Sequence, residues 1–194
     1  MSPWQAAVKR TMDVVLSAGA LLVGWPVMLA IALAIRREGP GPILFRQERA
    51  GRHMKPFIMY KFRTMRPDAD PYGASPASPS DPRLTRVGRF LRETGLDELP
   101  QLWNVLKGDM SLVGPRPLYM SQARAFTERQ RRRLEVRPGI TGLAQIQGRG
   151  EVPHEKKLEI DVQYVEQMNI WLDLKILWRT VVRGFGRETA YQKW

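Results

Sequence analysis

Hydrophobic positions are unevenly spread along this chain, and the densest run lies near its start. Val14 to Ile35 contains Ser17 as its only clearly polar side chain, and as a straight helix it would extend about 33 Å, enough to span a bilayer. It is longer than the roughly 7–15 apolar residues of a signal peptide. Trp25 and Pro26 stand near its middle, where proline removes a helical hydrogen bond and divides the run into arms of about 14–16 Å, each reaching half of a roughly 30 Å hydrocarbon core. Lys9 and Arg10 precede the run and Arg36 and Arg37 follow it, so flanking charge gives no preferred direction. Two topologies fit: a re-entrant helix-break-helix hairpin turning at Trp25-Pro26, and a kinked spanning helix.

Beyond this run, glycine and proline in "REGPGPILFRQERAG" lead into an extended segment at Ile43 to Phe45. The alternation of Phe57, Met59 and Phe62 with Lys55, Lys61 and Arg63 predicts a strand. Residues 66–83 are rich in Pro, Ser and Asp and predict a mobile surface loop. Val87, Leu91 and Phe90 make a helical stripe against Arg86, Arg89 and Arg92. Leu99, Leu102, Val105 and Leu106 then define a second helix closed by Gly108. In the tail, Ile170, Leu174, Leu177, Val181 and Phe185 share a helical face, with Trp171 and Trp178 placed for the headgroup level of a membrane. An ordinary core-packing helix fits that spacing equally well.

Together these elements predict an α+β, mostly helical fold, with an anchor over 1–38 and one small folded domain over 39–194, the part to which the resemblance given below assigns catalysis. The 194 residues carry a formal charge of +12 and a pI near 10.6, which calls for an anionic partner: nucleic acid, a membrane surface or a phosphorylated substrate. The absence of cysteine excludes disulfides and thiolate metal sites.

Candidate chemistry centres on "ETGLDELPQL", where Asp97 and Glu98 adjoin just before a helix. Acidic residues there satisfy free amides and the positive helix end, so capping is the simpler reading. Two loops favour chemistry instead. "MSLVGPRPL" frames Arg116 with Gly114, Pro115 and Pro117, and a guanidinium fixed in this way suits bidentate contact with phosphate. "RPGITGLAQIQGRG" repeats the arrangement around Arg137 and Arg149.

In this order, "KRTMD", "GPILFRQERAG", "YKFRTM", "RVGRFLRETGLDELPQLWNVLKGDMSLVGPRP", "RPGITGLAQIQGR" and "DVQYVEQMNIWLDLKIL" resemble the bacterial sugar transferase family, specifically its small monotopic phosphoglycosyl transferases. The resemblance implies transfer of a sugar 1-phosphate from a UDP-sugar to polyprenol phosphate with release of UMP, at the cytoplasmic leaflet of the bacterial inner membrane. It implies Asp97 as nucleophile, with Glu98 helping to hold Mg²⁺ or assisting proton transfer. Lys61, Arg63, Arg92, Arg116, Arg137 and Arg149 are then the substrate-binding cations, since an anion attacking a diphosphate needs its charge offset. It also implies a re-entrant anchor broken at Trp25 and Pro26, interfacial amphipathic helices and contact with lipids of the cytoplasmic leaflet. Met54 and Gly95 depart from the family pattern, which often has glycine and serine there. A membrane-tethered nucleic-acid-binding protein is disfavoured, because no helix-turn-helix, zinc-finger or aromatic RNA-binding pattern is legible and anionic lipid already accounts for the charge. A nonenzymatic scaffold would leave Asp97 and Glu98 as a cap.

Overall fold

The computed structural model describes residues 1–147 and 152–183. Helix α1, Pro3–Glu38, is started by a capping box in which the Ser2 hydroxyl accepts from the Gln5 amide, and its helical geometry continues through Pro26. The expected division into two helices at Trp25-Pro26 is therefore not seen: proline is accommodated inside one 36-residue helix, as apolar helices can do. α1 is long and apolar enough to cross a membrane. Its buried positions, Asp13, Ser17, Ile31 and Ile35, fall on one stripe.

That stripe lies against the rest of the protein at both ends. Near the start, Lys9 Nζ donates to the Val113 carbonyl, Arg10 to the carbonyls of Val105 and Leu106, and Asp13 Oδ1 accepts from the Leu112 amide. Near the end, Ile31 and Ile35 pack with Phe62 and Leu91, and Arg63 donates to the carbonyls of Ile35, Gly39 and Pro40. Between these attachments Leu22, Val23, Trp25, Val27 and Leu29 are exposed.

Strands β1, Leu44–Ala50, and β2, Pro56–Phe62, pair antiparallel, with Phe45 opposite Lys61. Their turn holds His53 and Met54 at positive φ, a backbone that favours glycine. Residues 66–83 have no regular secondary structure, and the loop is closed at its base by a bridge between Met65 and Leu84. Helix α2, Arg86–Thr94, is capped by Thr85 and buries Leu91, but Phe90 faces outward. Its Gly88 lies so close to the Thr64 carbonyl that a Cβ would sit 1.9 Å from that oxygen.

Gly95 closes α2 in the left-handed conformation, a 3₁₀ turn covers Leu96–Glu98, and α3, Gln101–Lys107, follows Pro100 and ends at left-handed Gly108. Strand β3, Ser111–Val113, runs parallel to β4, Gly139–Thr141. Short helices α4, Met120–Arg124, and α5, Glu128–Arg131, lie between them in sequence; α6, Leu143–Gln147, and α7, His154–Gln167, come after. The core gathers Met59, Val105, Met110, Val113, Ala144 and Tyr164.

Helix α8, Ile170–Arg183, turns Asp173 and Ile176 inward and leaves Trp171, Leu174, Trp178, Val181 and Val182 exposed. The core-packing expectation holds for one face, through Asp173, Ile176 and Leu177, and the other face is apolar and exposed. Leu174 and Leu177 do not share a face as the spacing suggested, since Leu174 is exposed and Leu177 packs on the core. Phe185 and Arg149 lie outside the described residues.

Candidate active site

The placement of Asp97 and Glu98 begins with Gly95, whose left-handed backbone closes α2 and sends the chain into the tight 3₁₀ turn Leu96–Glu98 ahead of Pro100 and α3. Neither acts as a helix cap: no side-chain cap bond is made at either Gly95 or Pro100. Asn104, fully buried in α3, accepts from the Tyr60 amide and donates to the Ile58 carbonyl, which fastens α3 along β2. That docking brings Lys61 of β2 to Glu98.

Two cations meet on one oxygen. Glu98 Oε1 accepts from Lys61 Nζ at 2.6 Å and from Arg116 Nη2 at 2.8 Å. Burial opposes ionisation of Glu98, but Arg116 and Lys61 overcome it and hold the carboxyl well below its usual range. Burial also lowers the Lys61 ammonium, partly offset by Glu98. Asp97 is 7% exposed, and among the described residues burial and neighbouring charge, with no side-chain hydrogen bond, set its ionisation. Burial is the main reason its carboxyl is pushed up to about 6, with Glu98 adding to the rise and Lys61, Arg92 and Arg116 opposing it. Adjacent carboxylates are thus driven apart: ion pairs hold Glu98 as an anion, while burial raises Asp97.

The remaining cations distribute differently. Arg92 of α2 lies within the electrostatic reach of Asp97. The two glycine-proline loops are brought together, because β3 and β4 pair and the Gly139 amide donates to the Pro115 carbonyl. Arg137 nevertheless turns away: its Nε donates to the Gly108 carbonyl at 2.8 Å, beside Arg10 and Arg52. Arg63 is committed to the carbonyls at the end of α1. These two candidates therefore bind the protein's own backbone, where carbonyl oxygens satisfy a buried guanidinium. Trp25 and Pro26 lie within α1, with Trp25 exposed, between its two attached ends.

Arg49 of β1 joins the group without having been singled out in the sequence. It stacks on Tyr119 and feels the charges of Arg116 and Glu98. Gln47 accepts from Arg49 and donates to the Tyr119 hydroxyl and to the Pro71 carbonyl, tying the loop over 66–83 to the site's edge.

Among the described residues no cluster of three metal-ligating side chains occurs. Asp97 and the free Oε2 of Glu98 fit an ion that takes one or two carboxylates and completes its shell from phosphate and water, as Mg²⁺ does.

A glycine-proline-framed arginine and a lysine thus converge on partly buried Glu98 beside buried Asp97. The family model described as bacterial sugar transferase matches residues 4–187. The UDP-glucose:undecaprenyl-phosphate glucose-1-phosphate transferase of Escherichia coli (strain K12) is 45% identical over 192 residues, covering 95% of this chain and 41% of that protein. The uncharacterized sugar transferase EpsL of Bacillus subtilis (strain 168) is 48% identical over 185 residues, covering 95% of this chain and 91% of the relative. The UDP-N-acetylgalactosamine-undecaprenyl-phosphate N-acetylgalactosaminephosphotransferase of Aeromonas hydrophila is 40% identical over 198 residues, covering 95% and 46%. The chain spans less than half the length of the Escherichia coli and Aeromonas relatives. It belongs to the bacterial sugar transferase family.

Proposed function

We propose that this protein transfers a sugar 1-phosphate from a UDP-sugar to a polyprenol phosphate and releases UMP. The observation that carries this reading is the polarised pair: Glu98 anchored by Lys61 and Arg116 beside a buried Asp97 whose carboxyl is raised mainly by burial. Relatives named for UDP-sugar and undecaprenyl-phosphate substrates support the choice of reactants.

In this reading an Asp97 oxygen attacks the β-phosphorus of the UDP-sugar, forming an aspartyl phosphosugar and breaking the bond to the bridging oxygen, which leaves with UMP. An oxygen of the lipid phosphate then attacks the same phosphorus; the bond to Asp97 breaks and the carboxylate is restored. Burial strips Asp97 of solvent and keeps its electron pair available, while Arg116, Lys61 and Arg92 supply positive charge where two anions must meet. Mg²⁺, when bound by Asp97 and Glu98, would add charge neutralisation at the diphosphate.

The membrane assignment follows from α1. A straight helix rises about 27 Å between Asp13 and Ile31, yet both residues are buried against one body of protein. A helix threading a bilayer would leave its ends on opposite faces. We therefore read α1 as entering without crossing, with both flanks and the catalytic residues on the cytoplasmic side, and the exposed tryptophans of α8 as resting at the lipid headgroups.

Protein in lipid vesicles with Mg²⁺ and a panel of UDP-sugars, without acceptor, should release UMP in a burst of at most one per active site. Steady turnover should then require undecaprenyl phosphate. Absence of UMP with every donor overturns the reading.

A further inference from the structure

Two buried carboxylates outside the site, Asp161 and Asp173, have no part in the chemistry above, and both lead to the loop that carries Arg116. Asp161 on α7 accepts on Oδ2 from Arg133 Nε at 3.2 Å and Nη2 at 2.6 Å, and the same Nη2 donates to the Arg116 carbonyl at 2.7 Å. Asp173 on α8 accepts from Lys9 Nζ at 2.7 Å and from the Tyr164 hydroxyl at 2.7 Å. Both of these donors also reach the Val113 carbonyl, at 2.9 Å and 3.3 Å. Between the clamped ends, the Gly114 amide donates to the Thr141 carbonyl and the Pro115 carbonyl accepts from Gly139. Every residue from Val113 to Arg116 is therefore held through its backbone.

We propose that Asp161 and Asp173 are positioning residues, which fix the two ends of the 113–116 loop so that the Arg116 guanidinium stays on Glu98. This rests on the functional reading of Asp97 and Glu98 given above. Stability does not account for the arrangement. Buried ion pairs are often no more stabilising than apolar side chains of the same volume, and Asp161 Oδ1 is buried with no partner, a cost that an apolar core would avoid. What the pairs supply is direction. A carboxylate aligns the Arg133 fork, which places a hydrogen on the Arg116 carbonyl. A second carboxylate orients the Lys9 ammonium onto the Val113 carbonyl and holds the Tyr164 hydroxyl beside it, drawing the first turns of α1 and the start of α8 into the same framework.

The test is a double-mutant cycle on the full chain in lipid vesicles, with UMP burst amplitude counting active sites and kcat given per site. Asp161→Asn is expected to lower kcat about 10- to 100-fold, the scale of a small misplacement of a catalytic group. In an Arg116→Lys background the same change should cost less than about 3-fold, because the residue it positions is already lost. Glu159→Gln, which breaks a surface pair with Arg129 on the same helix, should leave kcat unchanged. Arg133→Lys, which keeps charge facing Asp161, and Lys9→Met, at the second clamp, carry the same cycle if Asp161→Asn does not fold. Equal losses in both backgrounds, or no loss in the parent, overturn the inference, as does failure of all three variants to fold. Failure of the wild type to release UMP would instead defeat the functional reading.

Discussion

The guanidinium carbon of Arg49 lies 3.7 Å from the centre of the Tyr119 ring. Burial lowers the Arg49 pKa to about 10, so it stays charged at neutral pH, and its field reaches Glu98 and Arg116. Tyr119 also meets Tyr72 from the 66–83 loop at 6.0 Å between ring centres. The stack holds a planar cation at the edge of the site, a task lysine performs poorly because it lacks the flat face. Arg49→Lys is expected to reduce kcat/KM for UMP release about 10-fold, whereas Tyr119→Phe, which keeps the ring, should stay within about 3-fold of wild type. Equal losses in the two would assign the effect to the hydroxyl that Gln47 holds.

Arg49 was hidden in the sequence by its setting, since it follows Arg46 and Glu48 on a strand where charged side chains usually face water. Other features were legible for a physical reason. Gly108 had to end α3 because the chain there takes a left-handed turn, and Leu102 and Val105 had to face inward because helical spacing puts them together. Arg63 misled because alternation from Lys61 suggests a shared face. The alternation slips at Phe62, so Phe62 and Arg63 are both buried and Arg63 is drawn to the end of α1. Arg137 misled in another way: its loop does join the Arg116 loop, but backbone pairing does not determine where a long side chain reaches. The turn before α3 was legible as a helix start, and only the fold shows that Lys61 and Arg116, distant in sequence, use Glu98 and so displace the capping role.

The topology proposed for α1 has a direct check, because the chain has no cysteine of its own. Gly39 has extended backbone and open space around it, so cysteine there is tolerated, and Ser2 is exposed at the other end. Single cysteines at Ser2 and Gly39 should both react with an impermeant maleimide in inside-out membrane vesicles and both be protected in right-side-out ones. Reaction from opposite faces would restore a spanning helix.

Arg116 contributes a planar fork as well as charge. One Nη binds Glu98, and in the proposed reaction the planar fork, unlike an ammonium, can also grip phosphate oxygens. Arg116→Lys should lower kcat/KM for the UDP-sugar about 10- to 100-fold while the protein stays folded and membrane-bound. Unchanged kinetics would reduce Arg116 to an anchor for Glu98.

Asp97 and Glu98 should respond oppositely when neutralised. The Asp97 pKa is raised to about 6 in the fold, above its unfolded value of about 3.9, so its ionised form opposes folding at neutral pH. This penalty is complete above the folded pKa and disappears below the unfolded one. Asp97→Asn should therefore raise stability by roughly 1–3 kcal/mol at pH 7 without divalent cations, a gain that vanishes near pH 4, while the UMP burst falls by about 10³-fold or more. Glu98 has the opposite sign: its folded pKa is depressed by Arg116 and Lys61, so its contribution is present above the unfolded value and lost as pH falls towards the folded one. Glu98→Gln leaves two partly buried cations facing a neutral amide and should cost about 2–4 kcal/mol at pH 7. It should also slow the burst while leaving Asp97 able to attack. Thermal melts of the two variants at pH 7 and pH 4, beside burst kinetics, decide the matter: a destabilised Asp97→Asn would contradict the raised carboxyl, and one that still releases UMP at the wild-type rate would remove Asp97 from the role of nucleophile.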